Sequence, residues 1–426
     1  MEHKSIIATI YIRNGRALLH KDDPGQTVDL IELARSYNDS GVDKIFLVDL
    51  SNDESEHMTN LIAIRNVNRN IDIKTCGSGN IKREDDIKLF FFAGCTEVAL
   101  NGGKPETIEL VKKAAARFGK DKILVSVDTV NFAFKTKDFI NDCVHELVLM
   151  NPDLVKGLEN ITDIPYILKQ DDYDLDRITG LLESECIRGI YGSFINEDDT
   201  DIMQLKSDLA DRGIVMDNFN PKLQWKDLKV NSDGLVPVIA QDYQTGQVYM
   251  LAYMNEEAFN TTIRLGKMTY WSRSRQELWT KGLTSGHIQY VKSLTADCDY
   301  DTILAKISQV GGIACHTGSP SCFFNEIIKK EYIERSPLRI FENTYNLIKE
   351  QKESEGETYA KQLFKGGIDE VLKKIGEEAA EVIIAGKNNG DTEAIYEITD
   401  LIYHLMFLMI DKGISWEEIT RELSQR

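Results

Sequence analysis

The segment "DCDYD", Asp297–Asp301, alternates three carboxylates with Cys298 and Tyr300, and "ACHTGSPSCFF" downstream adds Cys315, His316 and Cys322. Zinc prefers thiolate and imidazole, and a catalytic zinc keeps three protein ligands and an open place for water. Cys298, Cys315 and Cys322 match that count. A closed structural site with His316 as fourth ligand is the alternative, and the adjacency of His316 and Cys315 makes it awkward. In an extended segment Asp297, Asp299 and Asp301 share one face. Like charges so placed repel unless a cation lies between them, and hard oxygen ligands suit magnesium or calcium. A solvated acidic turn is the plainer reading. An EF-hand loop is excluded, because Thr302 and Ser308 stand where it requires Gly and Glu. Ahead of the cluster, "YWSRSRQELWTKGLTSGH" offers Arg273, Ser274, Arg275, Trp279, Lys281, Ser285 and Gly286 as substrate-binding candidates. Two arginines, a lysine and hydroxyls in a turn-rich stretch suit phosphate.

A second carboxylate set lies near the C-terminal end of the sequence. "KKIGEEAAEV" places Glu377, Glu378 and Glu381 on one helical pattern, with Glu378 and Glu381 on one face. The next pattern carries Glu397, Asp400 and His404 at i, i+3 and i+7. Solvated charged faces would explain most such pairs. Here Glu397 and Asp400 interrupt the apolar "IYEITDLIYHLMFLM", where unpartnered carboxylates are costly. Magnesium would supply the partner. Val371, Leu372, Ile375, Val382, Ile383, Ile398, Leu401, Ile402 and Leu405 mark the expected core side.

Composition limits the rest. The 426 residues are 42% hydrophobic and 28% charged, as in soluble globular proteins. A net charge of −19 argues against a nucleic-acid partner, which needs a basic face. No apolar run is long enough to span a bilayer, and "MEHKSIIATIYIRNGRALLH" lacks a signal-peptide core, so the cytoplasm is expected and a membrane partner is not. Cys76, Cys95, Cys143 and Cys186 read as small buried hydrophobes rather than disulfide partners.

The elements that must position these residues fall into three blocks. Residues 1–215 alternate short apolar runs with amphipathic stretches, the pattern of a parallel sheet covered by helices and of a shortened (β/α)8-like barrel. Residues 216–234, polar and turn-rich, read as a linker. Residues 235–336 read as α+β, with a hairpin around "QTGQ" and a helix capped by Asn255; residues 337–426 read as all-α, ending in a helix capped by Ser415.

"MLAYMNEEA", "SRSRQELWTKGLTSGH" and "DCDYDTILAKISQVGGIACHTGSPSCFF" together resemble phosphoribosyl-AMP cyclohydrolase of histidine biosynthesis. The resemblance implies zinc on Cys298, Cys315 and Cys322, with ligands from two subunits of a homodimer, and magnesium on Asp297, Asp299 and Asp301. It implies opening of the adenine ring at N1–C6 by a zinc-activated water, with His316 favoured over His287 as the proton carrier. "TYAKQLFKGGIDEVLKKIGEEAAEVIIAGK" and "YEITDLIYHL" resemble phosphoribosyl-ATP pyrophosphohydrolase, the preceding step. That resemblance implies magnesium on Glu378, Glu381, Glu397 and Asp400 with Glu377 nearby, Lys374 and Lys387 on phosphates, and Glu378 and Glu381 among the catalytic groups. Together the two resemblances imply phosphoribosyl nucleotides as substrates, the product of one block being the substrate of the other.

"SIIATIYIRNGRALL", "KIFLVDLS", "TCGSGNI", "TEVALNGG" and "KILVSVD" resemble the histidine-pathway barrels, namely the phosphoribosyl isomerase and the cyclase of imidazole glycerol phosphate synthesis. Asp128 matches an acid of that family, and Gly77 and Gly79 match its third-strand glycines. Tyr11 stands where the family has an acid, and "LVLMNPDLVKG" and "LKQDDYD" replace its phosphate loops. Acid–base isomerisation needs two groups across the mouth, so a degenerate, non-catalytic barrel is expected. The rival expectations are a trifunctional enzyme and a barrel serving as a regulatory or docking module.

Overall fold

A computed structural model of the chain describes residues 3–20, 23–103, 106–129, 137–158, 162–196, 200–331, 337–354, 356–388 and 390–424. The expected boundary at residue 336 and Asn389 of the "NNGD" turn lie outside the described residues. The chain divides into two compact units, Met1–Asn325 and Glu326–Arg426.

The first unit opens with strands β1 (Ser5–Arg13), β2 (Arg16–His20), β3 (Asp23–Val28), β4 (Lys44–Asp49), β5 (Lys74–Ser78), β6 (Glu97–Asn101), β7 (Ile123–Val127), β8 (Glu146–Leu149), β9 (Tyr166–Lys169) and β10 (Ile187–Tyr191). β1 and β4 to β10 are all parallel, and β10 pairs back onto β1. The barrel therefore closes with its full complement of strands. It is short because most strands are brief, as the expected shortened (β/α)8-like barrel requires. β2 and β3 form a hairpin beside β1.

Runs such as "KIFLVD" are buried on both faces, as parallel strands require. One set of side chains, including Ile7, Phe46, Cys76, Leu124, Val148 and Ile167, fills the barrel. The other set packs under the surrounding helices, with Ile10, Ile45, Leu47, Val98 and Val125 at its centre. Inside, Lys44 reaches Glu97 at 2.5 Å and Glu146 at 3.4 Å, so each buried carboxylate has the same ammonium as its partner. Aspartates 29, 53, 174 and 201 cap helices by accepting backbone N–H groups. Gly79 lies at φ +85 with the Asp49 carbonyl 2.1 Å from where a Cβ would stand, so this turn admits only glycine.

The middle region carries β11 (Val236–Asp242), β12 (Val248–Met254), β13 (Thr269–Ser272), β14 (Glu277–Thr280), β15 (Gln289–Ala296) and β16 (Ile303–Gln309). Its sheet runs β12-β11-β16-β15, with β13 and β14 forming a separate ribbon. Asn255 caps the helix Glu256–Leu265 through the Ala258 amide, as expected. The 216–234 stretch is seated rather than free. Trp225 stacks on Phe259 at 5.7 Å, and the Lys229 amide donates to the Tyr300 carbonyl at 2.8 Å.

Within this unit the barrel grips the sheet. Asp39 accepts from Lys292 of β15 at 2.8 Å and from Ser308 of β16 at 2.7 Å. Lys267 bonds Asp201 at 2.6 Å.

In the second unit, helices Pro337–Glu353, Tyr359–Lys365, Gly367–Ala385, Thr392–Lys412 and Trp416–Ser424 follow one another. Ser415 caps the last through the Glu418 amide. Its core joins Ile348, Ala360, Leu363, Val371, Met406 and Phe407. The expected core side is corrected in part: Leu372, Ile383, Ile398 and Leu405 are exposed at 48%, 70%, 45% and 37%. The helix pair turns its acidic stripe inward between its own members and leaves these apolar residues outside. Among the described residues no helix is long and apolar enough to cross a membrane.

Candidate active sites

The "DCDYD" residues leave the end of β15 as a turn, not as an extended segment. Asp297 closes that turn by accepting from the amides of Asp301 at 3.0 Å and Thr302 at 3.2 Å, and Tyr300 adopts φ +67. The turn brings oxygens of Asp297, Asp299 and Asp301 within 4.8 Å of one another, all exposed. Slight desolvation would raise the Asp297 carboxyl, but the Thr302 and Asp301 amides outweigh it and hold the group below its usual range. This donor set fits a hard cation.

The two downstream cysteines lie together. The Thr317 hydroxyl donates to the Cys315 sulfur at 3.1 Å. Hydrogen bonds from the Thr317 hydroxyl and amide, with the Cys322 thiol and the Lys281 ammonium adding to them, hold Cys315 below the usual thiol range. Burial and the neighbouring Cys315 push Cys322 up. The two neighbouring thiols are thus shifted in opposite directions. Cys298 does not join them: the three sulfurs do not converge within 4.8 Å in one chain, and Cys298 sits in the acidic turn beside Asp299.

Beside the thiol pair is a cleft of about 410 Å³ lined by Trp279, Lys281, Ser285, His287, Cys315 and His316 among others. It unites both candidate proton carriers with three of the candidate binding residues. His316 stands with Nδ1 3.9 Å from the Cys315 sulfur. His287 Nδ1 faces the Val310 carbonyl at 3.3 Å. Lys281 is buried, donates to the Ala314 carbonyl at 2.6 Å, and lies near both thiols, so it also anchors the cysteine loop. Arg273, Ser274 and Arg275 occupy the exposed β13–β14 turn instead. Arg273 covers the Tyr253 ring at 3.9 Å, and Arg275 pairs with Glu277 at 3.2 Å. Gly286 turns at φ +76 next to Ser285.

In the helical unit, antiparallel packing of Gly367–Ala385 on Thr392–Lys412 brings oxygens of Glu378, Glu381 and Glu397 within 4.8 Å. Glu378 is buried, Glu397 half-buried and Glu381 exposed. Desolvation, then the hydrogen bond and charge of Glu381, push the Glu397 carboxyl up, with Glu378 and Asp400 adding to the shift. Without a cation these carboxylates disfavour one another's charge, so a divalent ion fits the donor set. Asp400 faces this group from the next turn. Glu377 points to Lys374 at 2.8 Å. Lys387 is exposed beyond the helix end and makes no ion pair among the described residues. Sequence reasoning assigned no role to Thr317 or Tyr359. Thr317 donates to Cys315 two residues earlier in the same loop, and the Tyr359 partner His404 lies 45 positions away.

At the barrel mouth, Tyr11 of β1 lies near the Tyr191 hydroxyl, which contacts the Met150 sulfur at 3.1 Å. Asp128 follows β7, the fifth strand of the closed ring and so the one opposite β1. Asp128 is exposed and lies beside Gly103 at the end of the neighbouring strand β6.

Comparison with known proteins bears on all three parts. The family model "Phosphoribosyl-AMP cyclohydrolase" matches residues 250–324, "Phosphoribosyl-ATP pyrophosphohydrolase" matches 341–426, and "Histidine biosynthesis protein" matches 5–162. The "Histidine biosynthesis bifunctional protein HisIE" of Thermoanaerobacter pseudethanolicus is 46% identical over 212 residues, which is 46% of this chain and 97% of that protein. This chain belongs to the bifunctional HisIE family. The HisIE protein of Lactococcus lactis is 49% identical over 193 residues, covering 45% of this chain and 88% of its own length. That of Thermosynechococcus vestitus is 44% identical over 202 residues, or 47% and 94%. A HisIE relative thus accounts for under half of this chain. The barrel model stops at residue 162, while β9 and β10, which close the ring, lie beyond it.

Proposed function

We propose that this chain is a bifunctional histidine-biosynthesis hydrolase built as a barrel (1–215), a linker (216–234), a phosphoribosyl-AMP cyclohydrolase (235–336) and a phosphoribosyl-ATP pyrophosphohydrolase (337–426). The helical unit releases pyrophosphate from phosphoribosyl-ATP, and the middle region then opens the adenine ring of the product. The observation that carries this reading is the presence of two separate donor sets of different chemistry, thiols beside a cleft and carboxylates between two helices.

In the middle region Cys315 and Cys322 of one copy and Cys298 of another would hold zinc, and Asp297, Asp299 and Asp301 would hold magnesium. Bound zinc lowers the pKa of water and polarises what it touches. The cleft residues do the rest. Lys281 and Ser285 hold the phosphoribosyl nucleotide, and Trp279 offers its ring to the base. His316 moves a proton as water adds to C6, the N1–C6 bond breaks, N1 takes the proton and C6 keeps the oxygen as a carboxamide. His287 occupies the same cleft and shapes it. In the helical unit Glu378, Glu381, Glu397 and Asp400 would hold magnesium against the triphosphate, with Lys374 and Glu377 at the edge. Water attacks the α-phosphorus and pyrophosphate departs.

The barrel is read as non-catalytic, since Tyr11 replaces one of the two acid–base groups that isomerisation needs. A homodimer in the cytoplasm completes the reading. Separate elimination tests it. Cys315→Ala should abolish ring opening and leave pyrophosphate release; Glu381→Gln should do the reverse. A folded single variant that loses both activities would defeat the assignment of independent sites.

A further inference from the structure

His404 is buried directly behind Glu378, yet it belongs to none of the ligand sets. Its Nδ1 lies 2.9 Å from the Asp400 backbone carbonyl and 3.5 Å from Glu378 Oε1. A carbonyl and a carboxylate only accept, so Nδ1 carries the hydrogen. In the neutral ring Nε2 is then an acceptor, and the Tyr359 hydroxyl stands 2.8 Å from it as donor. Tyr359, Tyr403 and Phe407 surround the imidazole at centroid distances of 6.1, 5.7 and 6.1 Å. Tyr359 itself is half exposed on its outer side, while Glu378, Asp400 and Glu377 lie near its hydroxyl.

We propose that Tyr359 and His404 are positioning residues for the divalent-cation site: Tyr359 O–H to Nε2 and Nδ1–H to the Asp400 carbonyl fix one histidine tautomer and hold the imidazole edge against the buried Glu378 carboxylate, 3.5 Å away, which orients that carboxylate. The inference rests on the reading that Glu378, Glu381 and Glu397 hold a divalent cation. A carboxylate shared among three like charges has no fixed direction of its own. An imidazole edge held behind it by Tyr359 and the Asp400 carbonyl sets that direction.

The test follows Mn²⁺ binding to the full chain by electron paramagnetic resonance, using the class of bound Mn²⁺ that disappears in Glu381→Gln to identify the helical site. Partners that orient metal ligands typically contribute 10–100-fold in affinity, so His404→Ala should weaken this class about 10-fold and Tyr359→Phe, acting one step further back, about 3-fold. His404→Asn, whose amide N–H can stand near the Nδ1 position, should rebind within about 3-fold of the native chain, whereas His404→Gln should not. Half-saturation of pyrophosphate release by Mg²⁺ should rise in step, with kcat at saturating Mg²⁺ largely kept. Nitrogen-15 spectra of the metal-free chain should show His404 protonated at Nδ1. Native Mn²⁺ affinity in Tyr359→Phe and in folded His404→Ala, rescue by Gln rather than Asn, or an Nε2-protonated His404 would each overturn the proposal. If Glu381→Gln loses no Mn²⁺, the cation site itself is wrong.

Discussion

Asp39 joins two domains that composition alone would separate. Its side chain is 13% exposed and that of Lys292 is 23% exposed, so the pair is largely withdrawn from water. Asp39→Ala removes the acceptor of both Lys292 and Ser308 at once. Lys292 keeps only the Tyr243 ring, 5.1 Å from its ammonium. A hydrogen bond to a charged group contributes about 1.5–3 kcal/mol, and partial exposure lowers this, so losing both should cost about 2–3 kcal/mol. Lys292→Met leaves Asp39 with Ser308 and with the Asn38 amide at 3.0 Å, so it should cost less. The double variant should then show about 1 kcal/mol of coupling between the two positions. Urea unfolding followed by tryptophan fluorescence is the assay, because Trp225, Trp271 and Trp279 all lie in or beside the middle region. With a slope of about 3 kcal/mol/M, Asp39→Ala should lower the midpoint by about 0.8 M. The strands that Asp39 grips are those leading to the acidic turn and the cysteine loop, so ring opening should fail along the same transition while pyrophosphate release persists. A midpoint within about 0.1 M of native, or strict additivity in the double variant, would refute the claim that the barrel braces this sheet.

Other outcomes follow from single contacts. Mixing Cys298→Ser chains with Cys315→Ser chains should restore ring opening to about a quarter of native, since half the dimers are mixed and each carries one intact zinc site; no restoration after subunit exchange would place all three ligands in one chain. Burial alone would raise the Asp86 carboxyl, but the Lys82 and Arg83 amides and the Arg83 guanidinium outweigh it and hold the group low. Its contribution is therefore present above the ordinary carboxylate pKa of about 4 and is lost as pH falls through the depressed folded value. Asp86→Asn should destabilise the barrel by about 1–2 kcal/mol at pH 7, and melting curves of variant and native should converge as pH approaches 3; a gap independent of pH would contradict this.

Much of the site was legible because its chemistry is written in short segments. "DCDYD" and the Cys315–Cys322 loop each carry their candidate ligands within a short segment, and Glu378 and Glu381 share a helical face by spacing alone. The barrel was legible as alternation, because eight strand-like runs separated by amphipathic stretches suffice to close a ring. What no local pattern shows is the register: β9 and β10 have four and five residues, and β10 pairs with β1 across 184 positions. The apolar side of the helical hairpin misled for a related reason. Leu372 and Ile383 have the spacing of core residues, but which stripe faces the neighbouring helix depends on where the carboxylates must meet. The Asp39 anchor and the Tyr359–His404 contact join residues far apart in sequence, and no local pattern announces either.

The most direct test of the two-site account supplies the purified chain with phosphoribosyl-ATP, Mg²⁺ and Zn²⁺ and follows pyrophosphate and ring-opened product together. The account predicts that both appear, with phosphoribosyl-AMP rising and then falling between them. Pyrophosphate with no ring-opened product would mean that the thiols and the acidic turn serve structure rather than catalysis, and would contradict the account.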